Sequence, residues 1–339
     1  MKSFFSKSSA KAAMIIFILL MPLCAHAQNS ITNPTNIARN AISESTIKHK
    51  IEFLTDTICD GRATGTRGMV ETAAWIQREF ERIGLLSINN YYFHRFKTAK
   101  GIGGTNVIGL YANAKQKNSD KYIIVGAHFD HLGNINGTIY PGADSNASGV
   151  AALLSIAEMF NATKYIGRGG DSKIIFVAFD GNGHDLAGST ALWKKIKKGE
   201  IVDPITKKII TPKMITLMVN FDQVGCTLSP LRSGRKDYLI MLGNHSLEES
   251  KQEVISSSNR TQGLNMEISH TYYGSENFTN MFYNMSDQRI FIENKVPAVM
   301  FTSGITMNNN KPRDKAATID YPILKKRIYL MYHWIEQMM

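Results

Sequence analysis

The sequence predicts an α/β fold, a sheet with helices on both faces. Three observations carry that expectation. Short, near-continuous apolar runs of strand length recur along the chain. Longer stretches of helical periodicity separate them. No internal repeat, low-complexity tract or Pro-rich linker interrupts the alternation. The 339 residues are 43% hydrophobic and 20% charged, which excludes disordered, collagen-like and coiled-coil classes.

The elements follow in order. Residues 28–44 are polar, rich in Asn, Ser and Thr, and read as a loose leader. Over 66–85, Met69, Val70, Ala73, Ala74, Ile76, Phe80 and Ile83 fall near helical spacing, and Gly84 supplies a stop. Strands are then expected at 106–111, 122–127, 174–179, 215–221, 238–242 and 297–301. Helices are expected at 148–162, 187–198, 247–262, 289–294 and 322–338. Residues 199–213 read as a polar insertion of hairpin form. One domain over 45–339 accounts for the pattern.

The first 27 residues read as a removed export signal. Lys2, Lys7 and Lys11 form a positive start, 14–24 is an apolar stretch too short to span a membrane, and Ala25-His26-Ala27 is an A-x-A cleavage site. A lipid anchor on Cys24 would want a small residue before it, and Leu23 is not one. The mature protein is thus expected to be exported, periplasmic or secreted, without a membrane span. Losing the three lysines takes the formal charge from +11 to +8. The remaining basic runs, Lys194-Lys195, Lys197-Lys198, Lys207-Lys208 and Lys325-Lys326-Arg327, are scattered and follow no nucleic-acid module. Cys59 and Cys226 remain after cleavage, and the sequence leaves open a disulfide or two buried thiols.

In such sheets, functional groups gather where strands end. After the run at 122–127 comes His128-Phe129-Asp130-His131, and then Gly142-Ala143-Asp144-Ser145-Asn146-Ala147-Ser148-Gly149. After 174–179 comes Asp180-Gly181-Asn182-Gly183-His184-Asp185, and after 215–221 comes Asp222. Any one of these acids reads as a helix cap or turn residue. In series, His and Asp at strand ends suit metal-assisted hydrolysis. No G-x-S-x-G elbow occurs, which argues against serine-hydrolase chemistry.

Together these segments resemble metallopeptidase family 28, the dizinc aminopeptidases. The resemblance runs from about Gly61, in Gly61-Arg62-Ala63-Thr64-Gly65-Thr66, to Tyr321 and rests most on the words G-A-H-F-D-H-L-G and N-A-S-G. It implies a mixed, mainly parallel sheet sandwiched by helices, the zinc-exopeptidase fold, with the site at the strand ends. It also implies two zinc ions, a bridging carboxylate and a glutamate base.

Carried over position by position, much of that set is replaced. His128 matches the first metal histidine, and Asp130 the carboxylate that orients it. The bridging carboxylate falls on Ser145, with Asp144 matching the preceding, non-ligand acid. The base falls on Asn182 and the next glutamate ligand on Gly183. Asp222 matches the aspartate ligand of the other metal. The last histidine ligand falls on Asn310, and Gln288 replaces the histidine of an S-D-H word. Of five ligand positions only His128 and Asp222 keep conventional ligands, and the family assigns them to different metals. A catalytic zinc needs about three protein ligands.

The expectation is an exported aminopeptidase homologue that has lost hydrolysis, binds no zinc or binds it weakly, and takes a peptide or other small ligand in its cleft. The competing expectation is a hydrolase with a rewired metal site in which Asp144, His184 and Asp185 join His128 and Asp222.

Overall fold

The computed structural model describes residues 34–339 except 230, 232 and 233; residues 1–27, expected to be an export signal, lie outside the described residues. Its centre is a nine-stranded sheet. The strands are β1 (Leu86–Ser87), β2 (Phe93–Lys97), β3 (Gly103–Tyr111), β4 (Tyr122–His128), β7 (Lys173–Phe179), β8 (Ile215–Phe221), β9 (Tyr238–Leu242), β10 (Glu267–Ser269) and β11 (Ala298–Thr302). A separate hairpin holds β5 (Gly133–Ile135) and β6 (Thr138–Tyr140). The main order is β1-β3-β7-β4-β8-β11-β9-β10, with β2 also on β3. The inner four, β7-β4-β8-β11, are parallel, while β3 and β9 run antiparallel to them. The mixed, mainly parallel sheet therefore stands as expected. Because the parallel strands share a direction, His128, Asp180 and Asp222 emerge along one edge.

Burial on both faces explains the unbroken apolar runs. In β4, Ile123, Val125 and Ala127 join one core while Tyr122 and Ile124 join the other. The larger core takes the helices Arg67–Ile83, Ser148–Ala162 and Tyr321–Met338; the smaller takes Ala187–Lys198 and Arg289–Glu293. The helix ends match their residues. Thr66 caps Arg67–Ile83 by accepting from Met69 N, and Gly84 ends it at φ +84°, where a side chain would be strained.

Two expectations need correction. Residues 28–44 are not wholly a loose leader: Pro34–Asn40 is helical, and Ala38 and Ile42 are buried in the main core. Their apolar contacts outweigh the polar composition around them. The helix expected over 247–262 is broken into Glu249–Gln252 and Val254–Thr261, because Glu253, at φ −89° and ψ −2°, ends the first turn. Helix Glu44–Leu54, capped by Ser43 and Thr46, was not anticipated. The insertion carries an antiparallel bridge between Val202 and Ile209. Cys59 and Cys226 are buried free thiols.

The segment Gly61–Thr66 acts as a clamp. Arg62 is fully buried and donates to the carbonyls of Phe129 (2.6 Å), Pro141 (2.7 Å), Gly142 (2.9 Å) and Leu54. Burial lowers its pKa to about 10, and it stays cationic. Gly61 sits at φ +67°, and a Cβ there would meet Gly133 O at 2.6 Å. These contacts fix the loops that follow β4 and β6 against the start of the domain.

Candidate functional site

A cavity of about 260 Å³ opens at the strand ends. His128, Asp130, Ser145, Asn182, Gly183, Asp222 and Asn310 all line it. The positions carried over from the family therefore meet in one place, although they span 183 residues of chain from His128 to Asn310.

Asn146 is the joint that brings the two retained ligand positions together. Its Nδ2 donates to His128 O (3.2 Å) and Phe221 O (2.8 Å), and its Oδ1 accepts from Gly149 N and Gln223 N. It thus ties the end of β4, the end of β8 and the start of helix Ser148–Ala162. As a result His128 Nε2 stands 3.6 Å from Asp222 Oδ1, beyond hydrogen-bond length. His128 Nδ1 lies 3.1 Å from Asp130 O and 3.5 Å from Asp130 Oδ1.

Burial favours the neutral imidazole of His128, but Asp222 and Asp130 together outweigh it and raise its pKa well above the ordinary value. Asp130 faces the same balance. Burial pushes it up, while His128 and the amides of Gly183 and Asn182, each 3.1 Å away, bring it below the usual carboxylate range. Asp130 therefore holds both the imidazole and the loop that carries Asn182.

Asn182 Nδ2 donates to Asp287 Oδ2 at 3.1 Å. Asp287 is fully buried, and burial raises its pKa to about 6 despite His128, Ser189 and Asn182 nearby. Gln288 is turned from the cavity: its Oε1 accepts from Asn220 and its Nε2 donates to Tyr283 O.

The five residues of the rewired-site expectation do not gather. Asp144 Oδ1 accepts from Gly225 N (2.8 Å), Ser148 Oγ (3.1 Å) and Cys226 N (3.2 Å), so it acts as a loop and helix-start cap. Burial and the neighbouring Asp314 raise its pKa to about 6. The Asp185 side chain is 86% exposed and paired to Arg289 at 2.7 Å. His184 is half-buried and does not line the cavity. Among the described residues, no three His, Cys, Asp or Glu side chains are gathered to hold a metal.

The donor set at the family's metal positions is thus one imidazole, one carboxylate, a hydroxyl, an amide and a glycine. It does not fit a pair of zinc ions, which want carboxylate, imidazole or thiolate at each of several positions. The backbone does not impose the gap at Gly183, where an added Cβ would meet only Asp130 Oδ2, at 3.8 Å.

The opposite wall was not legible in the sequence. Tyr272, Phe282, Met285, Met300 and Ile305 form an apolar side, and Gln223 and Asn309 add amides. Gln223 and Asn309 adjoin Asp222 and Asn310 in the chain, a usable signal; the apolar residues come from separate segments with none.

Comparison with known proteins agrees with this geometry. The profile of Peptidase family M28 matches residues 106–335. A probable zinc metalloprotease of Pyrenophora tritici-repentis is 27% identical over 203 residues, covering 56% of this chain and 42% of the relative. The chain thus aligns with about two fifths of that relative's length. The LapA aminopeptidase of Legionella pneumophila superposes with a TM-score of 0.67 at 16% identity, covering 89% of this chain and 73% of LapA. An aminopeptidase from Aneurinibacillus superposes at 0.64 and 14% identity, covering 89% and 95%. The likeness to these solved structures shows the shared fold. With the match spanning most of the sheet and every segment that lines the cavity, the chain belongs to peptidase family M28.

Proposed function

We propose that this protein is an exported, non-hydrolytic member of its family that binds peptides, or other small ligands with a similar terminus, in the strand-end cavity. One observation carries the reading. The positions that match the family's site meet at one cavity, yet His128 and Asp222 are the only conventional metal ligands at the five ligand positions, and Asn182 stands at the base position. A primary amide does not accept a proton near neutral pH, and loss of a general base costs on the order of 10²–10⁴ in rate. Loss of the metals also removes water activation. The start of the sequence supports export, and its scattered lysines follow no nucleic-acid module. Among the described residues, no helix is long and apolar enough to cross a membrane.

The test has two arms. Protein purified without chelator is analysed for zinc and assayed on aminoacyl chromogenic substrates, with and without added zinc. The expected result is well under one zinc per chain and no turnover. Near-stoichiometric zinc that survives dialysis, with turnover abolished by His128→Ala, overturns the reading. In the second arm, short peptides are screened for thermal stabilisation, and at least one is expected to raise the midpoint.

A further inference from the structure

A second cavity, of about 110 Å³, shares no lining residue with the strand-end cavity. It lies where the turn after β1, the strands β2 and β3, the helix Ala187–Lys198 and the polar insertion meet. Ile88, Ile108 and Ile201 give it an apolar lining continuous with the smaller core. Asn89 joins the turn to the insertion: its Nδ2 donates to Glu200 O (2.6 Å) and its Oδ1 accepts from Val202 N (2.9 Å). His94 and Lys195 supply the basic groups of the lining.

His94 is 5% exposed, and its surroundings fix where its proton sits. Asn106 Oδ1 accepts from Asp180 N (3.0 Å) and Asn106 Nδ2 donates to Gly188 O (2.8 Å), so the amide cannot be turned over. The same Nδ2 stands 3.0 Å from His94 Nδ1, which must therefore be the acceptor. Burial, with Lys195 nearby, lowers the His94 pKa to about 3, so the ring is neutral and carries its one proton on Nε2. That buried N–H has no acceptor among the described residues. Buried donors are ordinarily paired, and an unpaired one is costly. The missing partner is an acceptor, and Lys195 specifies its charge. It is the only charged residue of the lining, and no Asp or Glu lines the cavity.

One ammonium and one N–H match the two oxygens of a carboxylate. A phosphate would want more donors than this apolar lining offers. The space amounts to a few waters, at ~30 Å³ each, which leaves room for a short aliphatic tail against the three isoleucines. Tyr91, 72% exposed, and the half-buried Lys195 are the side chains of the lining that can give way to it.

We propose that His94 and Lys195 form a binding site for a small aliphatic carboxylate, its oxygens on His94 Nε2 and Lys195 Nζ and its tail on Ile88, Ile108 and Ile201. The site stands whether or not the strand-end cavity binds peptides.

The experiment is NMR titration of the full chain carrying isotope-labelled histidine, at pH 7. His94→Phe, in which Asn106 keeps Gly188 O, or else His94→Gln, identifies the His94 signals as those it removes. The probes are isobutyrate, isobutyramide, phosphate and chloride. Isobutyrate is expected to shift the His94 Nε2 signal and to saturate at roughly millimolar concentration, the range a ligand this small reaches. Isobutyramide has the same shape without the charge and is expected to need at least roughly tenfold more. So is isobutyrate against Lys195→Met, because the charge-assisted hydrogen bond is lost. Lys195→Gln replaces that variant if it does not fold. An equal response to isobutyrate and isobutyramide, or an unchanged response in the lysine variant, overturns the carboxylate site. A His94 shift as large with phosphate or chloride as with isobutyrate marks general attraction of anions and overturns it too. No shift with any probe also overturns it, and leaves water as the partner of Nε2.

Discussion

Half-buried Asn182 is tied to fully buried Asp287: the amide nitrogen at the family's base position donates to the carboxylate 3.1 Å away. A glutamate placed there would meet Asp287 as a like charge. Restoring the base alone also leaves Ser145, Gly183 and Asn310 at ligand positions, so it does not restore the chemistry.

Asn182→Glu is expected to destabilise the fold by about 1–3 kcal/mol at pH 8, the cost of losing the hydrogen bond to buried Asp287 and crowding two carboxylates. Asp287 has a folded pKa of about 6, above its unfolded value. Between those values the native state binds the extra proton, so stability declines as pH rises through about 6. The penalty of Asn182→Glu should accordingly shrink at pH 5. Urea denaturation at both pH values checks this, and an equal penalty at both would contradict it.

Zinc affinity should return only with several ligands together. Gly183 has room for a side chain, since an added Cβ meets only Asp130 Oδ2, at 3.8 Å. Ser145 and Asn310 line the same cavity. Ser145→Asp, Gly183→Glu and Asn310→His combined would give each metal about three ligands with His128 and Asp222. The triple variant should bind zinc and gain thermal stability on its addition, as a ligand specific to the native state does. Wild type and each single variant should shift little. Thermal melts with and without zinc decide it.

The legibility of this protein in its sequence follows burial. The helices Ser148–Ala162 and Ala187–Lys198 and the strand Ile215–Phe221 fall where residue patterning places them, because both faces of the sheet are covered and each helix turns a buried apolar side to it. Strand β2 was missed because Phe93-His94-Arg95-Phe96-Lys97 is only half buried beside β3 and shows no clean alternation. Helix Glu276–Tyr283 was missed because only Tyr283 of it is buried. In the site, the residues after β4, β7 and β8 were legible because strand ends announce them. The wall of Tyr272, Phe282, Met285 and Met300 was not, since it is assembled by tertiary packing from separate segments.

Arg62 offers a test of the clamp below the cavity. Its guanidinium donates to four backbone carbonyls. A lysine has three donors on a single nitrogen and cannot span them. Arg62→Lys is expected to cost about 2–4 kcal/mol, since buried carbonyls lose their partners. The exposed Arg67, whose partner Glu71 is 3.5 Å away, serves as the control, with Arg67→Lys changing stability by less than about 0.5 kcal/mol. Denaturant midpoints compare the two, and a small effect of Arg62→Lys would refute the clamp.

Lys173 and Asp203 are fully buried 2.5 Å apart, and Tyr122 donates to the same Asp203 oxygen at 2.5 Å. This network pins the insertion to the outer ends of β4 and β7. Burial pushes the Asp203 carboxyl up, but Lys173, Tyr122 and the amides of Thr206 and Ile205 together leave it below the usual range. A depressed folded pKa contributes stability that is present above the unfolded value, near 3.9, and is lost as pH falls through the folded value. Asp203→Asn strands a buried ammonium and is expected to cost about 3–5 kcal/mol at pH 7. Replacing both partners with apolar residues, Lys173→Met with Asp203→Leu, should recover most of that loss and remove the network's share of the acid sensitivity. Denaturation from pH 7 down to pH 3 reads both effects. If the double variant is as unstable as Asp203→Asn, the cost lies in packing around the insertion and the charge account fails.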